Sequence, residues 1–248
     1  MAGVHCDSQR VGRLRDVPPT SPGRKGRAVI DDLARSAPLI VLAYALGCIA
    51  TGYYLVRLRV GVDVRRQGSG SAGATNAMRV LGRPAFAAVF LVDLAKGAVA
   101  VGIARWFDAG TFVVALAGVA VIAGHVWPVQ LGFHGGKGVA TAFGAALVYD
   151  AWVAVAALVI AGVVLGVGVR FVASGILGTM LTPMLALLAG RPGELALGFG
   201  LMAMLVLAGH RKNVEGILRG EPLMRRRKGA RVGVARPDRG ALAEGEPS

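Results

Sequence analysis

Gly124-His-Val-Trp-Pro-Val-Gln-Leu-Gly-Phe-His-Gly-Gly-Lys-Gly-Val-Ala-Thr141 carries the glycines and the lysine of a phosphate cradle, and it lies between apolar runs long enough to be buried in lipid. Gly135, Gly136 and Gly138 let backbone N–H groups come close to an anion. Lys137 adds a point charge, and a helix beginning near Val139 offers the positive end of its dipole. The stretch therefore predicts an anion site, most simply for a phosphate, at a membrane surface. A nucleotide P-loop is excluded, because the first glycine of that motif would fall on Leu131 and its Ser/Thr position is Gly138.

Outward from this stretch the composition supports the same class. Of 248 residues, 54% are hydrophobic, 17% are charged and 37 are glycine, with a mean hydropathy of +0.59. That is too apolar for an ordinary soluble domain, and the class expected is an all-α, polytopic integral membrane protein. The net charge of +14 is spread over the gaps between apolar runs and over both tails. This placement follows the positive-inside rule rather than a nucleic-acid-binding face. Cys6 lies in a polar tail and Cys48 in an apolar run, so neither a disulfide framework nor a metal site is indicated.

Residues 1–35 hold seven Lys/Arg and four Asp without apolar periodicity and read as a disordered extension, too long in its polar part for a signal peptide. A first span runs from about Ser36 to Val56. Further apolar runs occupy about 84–105, 111–130, 151–169, 174–189 and 195–209. The run from Val139 to Val148 covers only half a bilayer. About seven transmembrane segments result, one of them half-length, in a membrane domain over 36–222 with a basic disordered tail over 223–248. Residues 211–239 contain ten Lys/Arg, which places the C-terminus inside and the N-terminus outside. No internal repeat is evident, which weighs against a transporter of organic phosphates built from duplicated halves, the main competing class; a lipid-binding scaffold is a third.

A second glycine-rich stretch, Gly68-Ser-Gly-Ser-Ala-Gly-Ala-Thr-Asn-Ala-Met-Arg79, lies in the arginine-rich connection 57–83 on the expected cytoplasmic side. A helix capped by Thr75 puts Asn76 and Arg79 on one face. A third polar cluster, His210-Arg-Lys-Asn213, follows the last span, and its His and Asn also share a helical face. Two loops of small residues with one cation each could hold a phosphate from opposite directions. Each stretch also has a plainer reading: a tight turn with a lysine at the headgroups, a flexible loop meeting anionic lipid, and an interfacial belt. Asp93 and Lys96 stand three apart within an apolar span and read first as an ion pair, second as part of a pocket. No histidine is followed five positions on by Asp, since the residues there are Arg10, Gln130, Val139 and Glu215, so no His/Asp base is evident at that spacing.

The three motifs in this order, over about residues 40–222, resemble the bacterial acyl-phosphate:glycerol-3-phosphate acyltransferases, the PlsY family. The resemblance implies a membrane enzyme of phospholipid synthesis. It would move a fatty acyl group from acyl phosphate to the 1-hydroxyl of glycerol-3-phosphate at the cytoplasmic face of the bacterial inner membrane, without metal or nucleotide cofactor. Its partners would be those two substrates and membrane lipid, with no nucleic acid. It further implies Ser69, Arg79, Lys137, His210 and Asn213 as catalytic residues. Gly68, Gly70, Thr75, Asn76, Gly135, Gly136, Gly138 and Ser174 would line the substrate site. The chain departs from the family pattern at Ser71, at Gly47-Cys-Ile-Ala50, at His134, and at Ala173, beside which Ser174 is the candidate replacement.

Overall fold

The structure, a computed structural model, describes residues 22–219, and among these every regular element is helical. Most of the expected N-terminal extension and the whole tail over 223–248 lie outside the described residues. Helix α1 begins at Pro22, however, so residues 22–35 of that extension are helical. The described residues from Ser36 onward belong to one compact unit.

The helices are α1 (Pro22–Gly47), α2 (Thr51–Val60), α3 (Ala74–Leu81), α4 (Arg83–Trp106), α5 (Thr111–Val126), α6 (Val139–Tyr149), α7 (Ala151–Gly166), α8 (Phe171–Leu188), α9 (Gly193–Gly209) and α10 (Arg211–Leu218). Four stretches are long and apolar enough to cross a membrane: 34–60, α4, 111–131 and α8. Helices α6, α7 and α9 are shorter and equally apolar. The protein is a multi-pass helical membrane protein.

The expected first span is not one continuous helix. The chain leaves helical geometry between Gly47 and Thr51, which frees carbonyls that cannot be left unsatisfied in a water-poor interior. Lys96 Nζ donates to Ile49 O at 2.8 Å, and Gln130 Nε2 donates to Cys48 O. The broken segment is thus tied to α4 and to the loop after α5. A continuous run of apolar letters contains no signal for these two distant donors.

Helix α6 is the centre of the bundle. It packs most extensively on α4 and also against α5, α7, α8 and α9. The close approach to α4 depends on glycine: a Cβ on Gly97 would overlap Thr141 O, and one on Gly144 would overlap Leu94 O. Its 11 residues rise roughly 16 Å, about half the hydrocarbon thickness. Both ends are polar. At the C-terminal end Asp150 accepts from Val153 N at 3.1 Å, capping α7, and pairs with Arg191 at 2.8 Å. The N-terminal end opens on Lys137 and Gly138, so the half-length helix brings a positive dipole end to one face of the bundle.

Candidate active site

The two glycine-rich loops are physically joined. Ala72 N donates to Gly135 O at 3.1 Å, and Arg65 Nη1 donates to Leu131 O at 2.7 Å. Arg65 is itself fixed by Asp63, whose carboxylate accepts from the Arg65 guanidinium at 2.8–3.2 Å and from Arg65 N at 2.9 Å. That side-chain hydrogen bond, above all, holds the Asp63 carboxyl below its ordinary range, so the pair stays ionised at neutral pH.

Asn76 organises the first loop from inside. It is buried, and its Nδ2 donates to the carbonyls of Val64, Gln67 and Ser71 at 2.8, 2.9 and 2.9 Å. Its Oδ1 accepts from Ser69 N at 3.0 Å and from Arg79 Nη1 at 3.2 Å. Asn76 therefore shapes the loop and presents Ser69 and Arg79. Gly68 adopts φ +52° against this amide, where a Cβ would overlap Asn76 Oδ1.

In the second loop the glycines have a different use from the one their composition suggests. The N–H of Gly135 donates to Val126 O at 3.0 Å and that of Gly136 to His125 O at 2.9 Å, so neither is free to hold an anion. A Cβ on Gly135 would overlap His125 O, and one on Gly136 the imidazole of His125. These two glycines make room for His125. Gly138, at φ +86°, turns the chain into α6, and the first N–H groups of that helix remain for an anion.

Lys137 is half-buried and donates to Asn213 Oδ1 at 2.7 Å. Burial, and then the charges of Arg79, Arg170 and Lys212, hold its ammonium below the ordinary lysine range. Four cations converge here, an excess of positive charge that suits an anion. His210 is buried at the end of α9, and its Nδ1 lies 2.8 Å from Val206 O. Nδ1 therefore carries the proton and Nε2 is left as an acceptor. Burial pushes its pKa down to about 4, so the ring is neutral at pH 7.

These groups surround one cavity of about 450 Å³. Ser69, Thr75, Asn76, Arg79, Lys137, Gly138, His210 and Asn213 all line it, as their motifs suggested. Gly68, Gly70, Gly135 and Gly136 are not part of the lining and act through the backbone behind it. Ala173 lines the cavity, whereas Ser174 is buried and donates its hydroxyl to Arg170 O at 3.3 Å. Arg170, Lys212, Asp93 and His125 also reach the wall. Asp93 pairs with Lys96 at 2.8 Å, as the first reading of that pair had it, and of the two only Asp93 is among the lining residues. At the apolar end stand Phe86 and Phe90 of α4 and Phe171 of α8, with ring centroids 5.4–6.5 Å apart. Charge at one end and aromatic surface at the other suit an amphiphile with an anionic head.

The family model described as glycerol-3-phosphate acyltransferase matches residues 37–220. The chain belongs to the glycerol-3-phosphate acyltransferase family. It is 43% identical over 180 residues to glycerol-3-phosphate acyltransferase 1 of Desulfitobacterium hafniense, covering 73% of this chain and 89% of that one. With the Clostridioides difficile enzyme it shares 38% over 188 residues, covering 73% and 91%. Two crystal structures of PlsY (YgiH), an integral membrane glycerol 3-phosphate acyltransferase, are similar to it at 33% identity. The glycerol 3-phosphate form superposes with a TM-score of 0.70 over 75% of this chain and 94% of that one, and the lysophosphatidic acid form with 0.68 over 75% and 93%. Membership makes this chain an acyltransferase, and the transport and scaffold readings fall away.

Proposed function

We propose that the protein transfers a fatty acyl group from acyl phosphate to the 1-hydroxyl of glycerol-3-phosphate, at the cytoplasmic face of a bacterial inner membrane. The observation that carries this reading is the convergence of Arg79, Lys137, Arg170 and Lys212 with the α6 N-terminus on a cavity whose other end is aromatic. Two phosphorylated substrates need that much positive charge, and a fatty chain needs the apolar wall. Both substrates are named from family membership together with this chemistry. The cytoplasmic orientation rests on the arginines of residues 57–83 and the basic C-terminal tail.

The acyl phosphate is already activated, so the protein chiefly aligns the two molecules and stabilises charge on the carbonyl oxygen and on the departing phosphate. The glycerol oxygen bonds to the carbonyl carbon and the bond from that carbon to the phosphate oxygen breaks. The hydroxyl proton passes to a phosphate oxygen, and inorganic phosphate and lysophosphatidate leave. Lys137, held by Asn213, and Arg79, held by Asn76, are the groups placed to bind the phosphates. Purified protein in detergent tests the reading. Phosphate should be released from acyl phosphate only when glycerol-3-phosphate is present, with one lysophosphatidate formed per phosphate; release at the same rate without the acceptor would refute it.

A further inference from the structure

Among the described residues that line the cavity, Asp93 is the only carboxylate. Two helices meet there. Asp93 of α4 is 2% exposed and His125 of α5 is 6% exposed, and His125 Nδ1 lies 3.5 Å from Asp93 Oδ1. Lys96 neutralises the carboxylate at 2.8 Å, and Thr51 Oγ1 donates to it at 3.5 Å. Nδ1 makes no hydrogen bond here, but the facing carboxylate favours the proton on that nitrogen, which leaves Nε2 on the opposite edge of the ring as an acceptor.

The Nε2 edge is kept open by the chain itself. It lies against Gly136, where a Cβ would overlap it, and the Gly136 N–H is directed away to His125 O at 2.9 Å. The lining of the cavity that His125 reaches is rich in donors: Ser69, Ser71, Arg79, Lys137, Arg170 and Lys212. Acceptors are fewer: Asn213 Oδ1 is engaged by Lys137 and Asn76 Oδ1 by Ser69 N and Arg79, which leaves the Nε2 atoms of His125 and His210 as the imidazole acceptors of the wall. A three-carbon acceptor with two hydroxyls needs an acceptor for each. The reacting hydroxyl gives its proton to phosphate, so the other one, on C2, requires a protein partner throughout the reaction.

We infer that the Asp93–His125 pair is the binding position for the C2 hydroxyl of the acceptor, which donates to His125 Nε2. Asp93 favours the tautomer that makes Nε2 an acceptor, and the missing side chain of Gly136 leaves room for the imidazole in this position. The long Nδ1 contact to Asp93 shortens when Nε2 takes its hydrogen bond, as unliganded sites commonly tighten around substrate. This assignment rests on the reading of glycerol-3-phosphate as the acceptor. It makes the pair a determinant of acceptor specificity.

The test compares glycerol-3-phosphate with 3-hydroxypropyl phosphate, which lacks only the C2 hydroxyl, using one acyl phosphate and kcat/KM for each acceptor. The parent should prefer glycerol-3-phosphate by about tenfold or more, the size expected when a buried polar group is left unmatched. In His125→Phe the preference should collapse to within about twofold, chiefly through KM for glycerol-3-phosphate, while His125→Asn, which keeps an acceptor oxygen, should regain part of it. Gly136→Ala, whose Cβ would overlap the imidazole and push Nε2 out of this position while keeping the residue a histidine, should collapse the preference too, and it serves if His125→Phe does not insert. Equal loss toward both acceptors, with the preference intact, would overturn the assignment and leave a packing role or a role at the reacting hydroxyl. A parent protein inactive with both acceptors would instead remove the function proposed above, and this inference with it.

Discussion

Lys137 and Arg79 face the same cavity from different loops, and each is held by an asparagine, so truncating either removes a charge-assisted contact without reshaping the loop. Lys137→Ala and Arg79→Ala should each lower kcat/KM by about 10- to 100-fold or more, the scale of one such hydrogen bond; turnover within twofold of the parent would remove the residue from the site. Asn76→Ala acts differently, because it removes a hydrogen bond from each of the Val64, Gln67 and Ser71 carbonyls, and it should lower the thermal midpoint as well as the rate. His210 adds a pH dependence with a defined sign. In the native state it titrates near 4, and in the unfolded chain near 6.5. Between those values only the unfolded state binds the proton, so stability is complete above about pH 7. It falls as the pH drops from about 6.5 toward 4, by about 3 kcal/mol in all. Thermal midpoints in detergent from pH 7.5 to 4.5 should fall less steeply for His210→Asn than for the parent, and equal slopes would contradict the assignment.

Among the helices, the contact most sensitive to a single atom is α4 against α6. Gly144→Ala places a methyl on Leu94 O, within backbone that cannot rotate aside, and should cost more than about 1–3 kcal/mol of stability. A thermal midpoint equal to that of the parent would show that the helices do not approach so closely. The membrane class, the half-length helix and the three polar clusters were legible in the sequence because each rests on local signals: apolar run length, glycine spacing and lone cations. What was hidden depends on distant partners. The interruption after Gly47 is sustained by Lys96 and Gln130, each more than 45 positions along the chain. The His125–Asp93 approach joins two helices, and no fixed spacing announces it. Lys212 stood out only as a neighbour of His210 and Asn213, and its effect on Lys137, joined with that of Arg79 and Arg170, needed the fold. Gly135 and Gly136 misled in a particular way, since glycines that admit an anion and glycines that admit an imidazole have the same letters.

Taken whole, the bundle concentrates its cations at the α6 N-terminus and confines the Asp150–Arg191 pair to the other end of that helix. Among the described residues, those that line the cavity all lie between Ser69 and Asn213. A chain beginning at Ala34 should insert and turn over within about twofold of the full-length protein; a well-inserted but inactive truncation would assign a function to the N-terminal segment. The same concentration of charge bears on the donor. Acyl phosphate brings its own leaving group and proton acceptor, whereas a thioester asks the protein for a base toward the attacking hydroxyl, and Glu215 after His210 is exposed and outside the cavity lining. The measurement that bears most directly on the proposed chemistry is lysophosphatidate formation by the purified protein with glycerol-3-phosphate and, in turn, acyl phosphate, acyl-CoA and acyl carrier protein carrying the same chain. Turnover with acyl phosphate alone, unchanged in Glu215→Gln, is the predicted result; robust use of acyl-CoA or acyl carrier protein, or loss of activity in a well-inserted Glu215→Gln, would contradict it.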